Sequence, residues 1–512
     1  MNKSEAVRKI LSDQHQAISS HKPYGVAWAP SNLALCKYWG KRNEELNLPT
    51  TSSISVSLEG KGCLTRISIN PTEDQYTVNC QPLDPNTAMA NRLREFLNLF
   101  RREGEYYLVE NYTNIPIASG FASSACSFAS LVTALNSLYD WQLEPKQLSI
   151  LARLGSGSAC RSIFSGFVEW VQGKRTDGMD SHGVKLDYLW PELRIGMVTV
   201  TTERKAVSSR EAMSRSVHSS PFYSSWVRQA GIDFEQVKLA LSGKDFSLLG
   251  EVAENNAIAM HMVMKSSIPT VNYNVTKTNQ LISQVQELRS HGIPVFFTQD
   301  AGANLHLLFL QQYEAEIIDF FGQMEVLAPF ELEQTSNLVL VDTEDREIGF
   351  SEKLAAHAMG ILHRAFSVVI FRRQGSRIEM LLQQRSANKY HSANLWTNTC
   401  CGHPRPQEEV VAAGERRLKE ELGVRVTLSK LGSFHYRAHF DSVSLIEDEI
   451  DHVLVGICEQ EHFVYDPKEV QAYRWVETSW LQQDLTTNPQ KYTAWLPQVL
   501  AQVQVRLGEI FG

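Results

Sequence analysis

Pro116-Ile-Ala-Ser-Gly120-Phe121-Ala122-Ser123-Ser124-Ala125 is the stretch on which the fold of the first half turns. It runs straight into a helical pattern, Ala125–Tyr139. Small residues let backbone N–H groups approach an anion, and a helix N-terminus adds positive potential, so such a loop suits nucleotide phosphates. It is not the usual P-loop, because no Gly-Lys-Ser/Thr follows. Taken alone, it reads equally well as a Ser-capped helix after a tight turn.

Outward from this loop, strand-like runs (Leu64–Ile69, Arg194–Val200, Val295–Thr298, His306–Leu310) alternate with helical patterns (Thr87–Phe100, Val275–His291). Interleaving of that kind predicts an α/β or α+β domain. Leu332–Ser336 has no period of its own, and a fresh strand pattern, Leu338–Asp342, follows it. The boundary is therefore placed near Glu333, giving a first domain over 25–333 and a second over 334–512. Residues 1–24 read as a helical extension of no evident purpose.

The 512 residues are long enough for three or four core-sized units. A hydrophobic content of 43% and a charged content of 21% fit a soluble chain with a real core. A formal charge of −8 argues against non-specific nucleic-acid binding, which needs a concentrated positive field. The eight cysteines are scattered without a repeating spacing, which points to a reducing cytosol. The N-terminus is polar and lacks the apolar core of a secretory signal, and no apolar run is long enough to span a bilayer. A soluble, cytoplasmic protein is expected.

Two further stretches of the first domain carry chemistry. Ala29-Pro-Ser-Asn-Leu-Ala-Leu-Cys-Lys37-Tyr38-Trp39-Gly-Lys41-Arg42 packs three cations and two aromatics together, ahead of Leu48-Pro-Thr-Thr-Ser-Ser-Ile-Ser. Gly155-Ser156-Gly157-Ser158-Ala159-Cys160-Arg161-Ser162 is a small-residue run presenting one Arg, whose fork can hold a carboxylate or phosphate. Each alone is more simply a solvated strand edge or a loop.

In this order and spacing, the three stretches resemble the mevalonate diphosphate decarboxylase branch of the superfamily that includes galactokinase and mevalonate kinase. Phe297-Thr-Gln-Asp300-Ala-Gly-Ala-Asn304 adds a matching Asp-Ala-Gly turn, and the resemblance covers about Gly25 to Phe330. It implies a two-layer α/β sandwich that phosphorylates a tertiary alcohol with ATP and then expels phosphate and carbon dioxide. By the same resemblance Asp300 orients or deprotonates the hydroxyl, Lys37 stabilises charge beside it, and Arg161 holds the substrate carboxylate. Ser156 and Ser158 anchor the substrate, with Tyr38 and Lys41 on its diphosphate side. Gly120, Ser123 and Ser124 face ATP phosphates and Mg²⁺, and Lys205, Ser208 and Ser209 form an additional polar cluster. A plain hydroxyl kinase is the rival reading, and Arg161 argues against it.

In the second domain, Gly402 is followed after five residues by Glu408 and after seven more by Arg416-Arg417-Leu418-Lys419-Glu420-Glu421-Leu422-Gly423. This resembles the Nudix box, which gathers carboxylates around Mg²⁺ on a diphosphate. Arg417 stands where Nudix hydrolases carry the first Glu of their Arg-Glu-x-x-Glu-Glu segment, which weakens a hydrolase reading. Trp396-Thr-Asn-Thr-Cys400-Cys401-Gly402-His403-Pro404, Glu352-Lys-Leu-Ala-Ala-His357, Leu362-His363, Tyr436 and Glu447-Asp448-Glu449 surround the box. These are similar to the type I isopentenyl diphosphate isomerases, over about Leu338 to Trp495.

That resemblance implies a Nudix α/β/α sandwich with a metal site of His357, His363, His403, Glu447 and Glu449, holding Mn²⁺, Mg²⁺ or Zn²⁺. It implies a second Mg²⁺ at Glu421, with Arg385, Lys389 and Arg417 countering the substrate diphosphate. Moving a double bond through a tertiary carbocation needs an acid and a base on opposite faces. Cys401 and Glu449 fit those roles, with Tyr436 assisting Glu449 and Trp495 offering a π face to the cation. Mevalonate diphosphate, ATP and isopentenyl diphosphate are the expected small-molecule partners, with no nucleic acid and no membrane, and dimerisation follows from the resemblance. The alternative is a small-molecule kinase fused to a Nudix hydrolase.

Overall fold

Gly25–Cys36 opens the first sheet as a strand buried along almost its whole length. It pairs antiparallel with Ser53–Asn70, an 18-residue strand, and the helix Ser123–Tyr139 packs on both. Gly25 is needed at that contact: a Cβ there would lie 2.0 Å from the carbonyl oxygen of Ala134. The structure is a computed structural model describing residues 1–12, 21–115, 123–203, 205–322, 324–330, 337–375, 377–389, 391–440 and 445–506. The chain divides into two compact units, Met1–Thr335 and Ser336–Gly512, rather than three or four. The boundary expected near Glu333 falls outside the described residues.

Among the described residues of the first unit, seven strands form one sheet and four form a second. The long strand serves two cores. Its Ile67 end joins Leu131, Leu135 and Leu154 from the helices Ser123–Tyr139 and Pro145–Gly155. Its Ile54, Val56 and Leu58 end joins Val237, Leu241 and Leu249 from the helices Tyr223–Gly243 and Phe246–Lys265. The extension is helical over Lys3–Leu11, capped by Asn2 and Glu5 on each other's backbone N–H. Residues 13–20 lie outside the described residues.

In the second unit, nine strands form one mixed sheet among the described residues. The central strand His363–Gln374 alternates strictly. Val368 and Ile370 face Leu418 and Leu422 of the helix Val410–Leu422, while Val369 and Phe371 face Val499 and Val503 of the helix Leu496–Val505. Period-two alternation with apolar residues on both faces is what covering by helices on both sides demands. The result is an α/β/α sandwich. Among the described residues, no helix of the protein is long and apolar enough to cross a membrane.

Candidate active sites

The first site is a cavity of about 770 Å³ whose walls carry six cations, Lys37, Lys41, Arg92, Arg161, Lys205 and Arg210, against two carboxylates, Asp300 and Glu211. Such an excess favours an anionic guest. Lys37 follows the strand Gly25–Cys36 and is held from behind, its backbone N–H donating to Asn256 Oδ1 at 2.8 Å. Its Nζ donates to the Ala34 carbonyl at 2.8 Å and to Asp300 Oδ1 at 2.7 Å. Burial alone would raise the Asp300 carboxyl. Lys37, with His306 and Arg161 nearby, holds it below its ordinary range. His261 Nε2 donates to the Asp300 backbone carbonyl at 3.0 Å and so fixes the turn.

Arg161 sits one residue beyond the short helix Gly157–Cys160, almost fully buried. Its Nε and Nη2 donate to Asn32 Oδ1 (3.1 and 2.9 Å), and Nη1 donates to Ser53 Oγ at 2.6 Å. Those bonds use three of the five guanidinium N–H groups and leave one on each terminal nitrogen, the arrangement a carboxylate accepts as a fork. Tyr38 OH is buried without a hydrogen-bond partner among the described residues, and it lines the same cavity. Lys41 is engaged by Glu44 at 2.9 Å. Ser158 lines the cavity, and its carbonyl accepts from Asn32 Nδ2 at 3.3 Å.

Ser124 and Ser156 meet Oγ to Oγ at 3.2 Å, which joins the phosphate-loop helix to the Arg161 loop. Gly120 and the rest of residues 116–122 lie outside the described residues, as does the side chain of Ser123. Lys205 Nζ donates to Ser209 Oγ (3.0 Å) and the Ala301 carbonyl, and Ser208 Oγ caps the helix Ser209–Ser219. Arg92 and Arg210 were not legible as site residues. Arg210 directly follows the Ser208-Ser209 pair, but Arg92 lies on an ordinary amphipathic helix, Ala88–Leu97, and gives no local signal.

The second site is assembled by strand register. On the parallel pair His363–Gln374 and Leu445–Ile457, His363 is the partner of Glu449, and on the neighbouring antiparallel pair Tyr436 is the partner of the same Glu449. The ring of His357 comes from the helix Lys353–Met359, which Glu352 caps through the N–H groups of Leu354 and Ala355. His357, His363, His403 and Glu449 each offer a ligand atom, all within 4.8 Å of one another.

The donor atoms converge on one point. His363 Nδ1 lies 2.8 Å from the Ile361 carbonyl, an acceptor only, so Nδ1 donates there and Nε2 is the nitrogen turned toward the group. It faces His357 Nε2 at 3.2 Å and Glu449 Oε1 at 3.3 Å, and His403 Nε2 lies 3.1 Å from the same oxygen. The donor set therefore fits a divalent metal.

Glu447 departs from expectation. It stands outside that group, with Oε2 accepting from Tyr436 OH at 3.0 Å and Oε1 paired with His391 Nε2 at 3.0 Å. Tyr436 correspondingly donates its hydroxyl to Glu447 and not to Glu449: its long ring leans along the strand to the carboxylate two residues away on the same face. His391, two residues beyond Lys389, was missed.

Cys401 Sγ donates to Asn398 Oδ1 at 3.1 Å and receives Trp495 Nε1–H at 3.3 Å. Burial, with Asp451 nearby, pushes its thiol up to about 12. Cys400, on the opposite strand face, is wholly buried in the core of the helix Val410–Leu422. Arg385 lies over the Trp495 ring at 5.4 Å. Lys389 pairs with Glu469, and Arg417 with Glu420, Glu421 and Glu469. Glu421 also accepts from Gln383 Nε2 at 3.1 Å, so both its oxygens are engaged. Lys353 joins these cations: burial and Lys389 lower it to about 8.

These features define a cationic cavity with a buried Arg161 that keeps one N–H on each terminal nitrogen, followed by an α/β/α sandwich with a cluster of donors able to hold a metal. Family models agree: the diphosphomevalonate decarboxylase-like N-terminal domain matches residues 29–183, the mevalonate 5-diphosphate decarboxylase C-terminal domain 195–376, and the Nudix domain 361–496. A diphosphomevalonate decarboxylase of Debaryomyces hansenii is 32% identical over 57% of this chain and 81% of its own length. An isopentenyl-diphosphate Delta-isomerase of Photobacterium profundum is 46% identical over 32% of this chain and 93% of its own. A solved structure, MDDEF in complex with MVAPP, AMPPCP and magnesium, superposes with a TM-score of 0.57 at 35% identity, over 60% of this chain and 97% of that one. The chain belongs to the diphosphomevalonate decarboxylase family in its first part and to the isopentenyl-diphosphate Delta-isomerase family in its second.

Proposed function

We propose that the first unit converts mevalonate diphosphate and ATP to isopentenyl diphosphate, and that the second isomerises this product to dimethylallyl diphosphate. The observation that carries the reading is Arg161, whose two spare N–H groups answer a carboxylate that a simple kinase substrate lacks. In this reading Asp300 accepts the tertiary hydroxyl proton while Lys37 balances the charge. ATP lies toward Ser124 and the apolar cavity end of Val78, Met89, Leu93 and Phe128. Ser156, Ser158 and Tyr38 seat the substrate, and Lys41, Arg92 and Arg210 take its diphosphate.

In the second unit, His357, His363, His403 and Glu449 would hold a divalent cation, which would supply the positive charge that these donors face. Three imidazoles with a carboxylate favour Zn²⁺ or Mn²⁺ over Mg²⁺. Cys401 and Glu449 exchange protons with the two substrate carbons, and Trp495 lines the cation. Arg385, Lys389, Arg417 and Lys353 hold the diphosphate, and Glu421 would be the carboxylate to hold a Mg²⁺ accompanying it. Arg417 in place of a carboxylate supports binding of a diphosphate without its hydrolysis.

Eight cysteines, none in a disulfide among the described residues, support a reducing, cytoplasmic setting. Homodimerisation is supported by exposed Ile232 and Leu239 on the helix Tyr223–Gly243 and Ile258 and Met262 on Phe246–Lys265. The test of the whole reading is a radiolabel assay. Labelled mevalonate diphosphate with ATP and Mg²⁺ yields dimethylallyl diphosphate, whereas ADP with a phosphorylated acid and no carbon dioxide would make the first unit a kinase.

A further inference from the structure

The strand Gly25–Cys36 slips its register between Ala34 and Cys36 and then ends, so Lys37 enters the site with its backbone N–H outside the sheet ladder. A buried N–H needs an acceptor. Asn256 Oδ1 provides one at 2.8 Å. The Asn256 amide is oriented in its turn, because its Nδ2 donates to Asp233 Oδ2 at 2.7 Å and a carboxylate oxygen accepts only from the nitrogen end. Asp233 Oδ1 accepts from Gln229 Nε2, one turn earlier on the helix Tyr223–Gly243, at 2.8 Å. Asn256 and Asp233 are both buried, on helices whose other inward residues include Ala230, Phe234, Val237, Leu249 and Val252. A polar pair is costly in such surroundings unless its bonds are made.

The helix that carries Asn256, Phe246–Lys265, also holds the segment of Asp300. Its His261 takes the Asp300 carbonyl, as described above, and its Glu254, clamped by Arg289, accepts the Phe297 N–H at 3.1 Å. One helix therefore fixes the backbone on both sides of the contact between Lys37 Nζ and Asp300 Oδ1. Reacting groups placed in this way lose rate steeply when either is displaced.

We propose that Asp233 and Asn256 are positioning residues of the decarboxylase reaction: Asp233 locks the Asn256 amide, Asn256 anchors the backbone of Lys37, and the ammonium is thereby held on Asp300. The proposal rests on the reading of Lys37 and Asp300 as the groups that act on the substrate hydroxyl.

The experiment exchanges the pair in the full-length chain. Asn256→Asp sets two carboxylates against each other. Adding Asp233→Asn restores one donor facing one acceptor and leaves an oxygen for the Lys37 N–H. ADP and carbon dioxide release are measured against mevalonate diphosphate concentration, and kcat is referred to the sites counted by calorimetric titration with that substrate. Asn256→Asp is expected to lower kcat about 10–10²-fold with KM within about threefold, and the double variant to return kcat to within about threefold of wild type. A double variant no faster than Asn256→Asp overturns the proposal. So does a loss confined to the number of sites with wild-type turnover at each, because a merely structural pair alters how much protein folds and not how fast each site works. Lys37→Met separates the two claims. An unaltered kcat there removes Lys37 from the reaction, whereas a large loss there with none in Asn256→Asp removes the positioning role alone.

Discussion

His363 and Glu449 face each other across two parallel strands, Nε2 to Oε1 at 3.3 Å, because the register pairs those residues and no others at that position. A one-residue slip would send one of them to the opposite face of the sheet. These two candidate donors are therefore held by backbone pairing, and charge rather than shape is what a substitution removes.

Glu449→Gln tests this. The amide keeps the size of the side chain and deletes the anionic donor. Bound metal, measured by elemental analysis of the purified chain, is expected to fall about 10–100-fold in affinity, and isomerase kcat to fall about 10²–10⁴-fold. ADP release by the first unit stays at the wild-type rate. Full metal occupancy in the variant would remove Glu449 from the donor set.

Asp300→Asn leaves Lys37 without its partner and the substrate hydroxyl without a proton acceptor. Phosphate release from mevalonate diphosphate and ATP is expected to drop by about 10²–10⁴-fold, with isomerase activity unaltered. Retained phosphate release would move the acceptor role to another group.

Two buried histidines give the first unit a pH signature. Burial lowers His261 and His306 to about 4, so between pH 6.5 and 4 the unfolded chain binds protons that the folded unit refuses. Their contribution is complete above pH 6.5 and is lost as pH falls toward 4, at most about 3 kcal/mol for each. Urea midpoints at pH 7 and pH 5 are expected to differ less in His306→Gln than in wild type. Equal differences would mean that His306 takes up its proton in the folded state as readily as in the unfolded chain.

The indole of Trp495 points its N–H at Cys401 Sγ and at Asn398 Oδ1 (3.3 and 3.1 Å). Trp495→Phe keeps an aromatic face but loses that donor. Isomerase kcat is expected to fall about tenfold, the worth of one hydrogen bond, with KM little changed. A loss as large as that in Cys401→Ala would assign the indole more than a supporting part.

Contiguous motifs were legible in the sequence, and cross-strand partnerships were not. Lys37, Arg161 and Asp300 announce themselves because each sits in a dense local run, and the structure brings all three to one cavity. The isomerase resemblance set Tyr436 beside Glu449. Its hydroxyl reaches Glu447 because the reach of a tyrosine along a strand exceeds one pair spacing. His391 and Arg92 escaped because a lone His in a loop and a lone Arg on an amphipathic helix have no spacing to betray them. Arg417, which first reads as a defect in a Nudix box, takes its meaning from Glu421 and Glu469 beside it.

The most direct test of the central claim follows one label through both units. Purified full-length protein is given mevalonate diphosphate labelled outside the carboxylate, with ATP, Mg²⁺ and Mn²⁺, and the products are separated over time. The account predicts one carbon dioxide and one ADP for each substrate consumed, with the label passing through isopentenyl diphosphate into dimethylallyl diphosphate. Label that stops at isopentenyl diphosphate, or that never leaves a phosphorylated six-carbon acid, would contradict it.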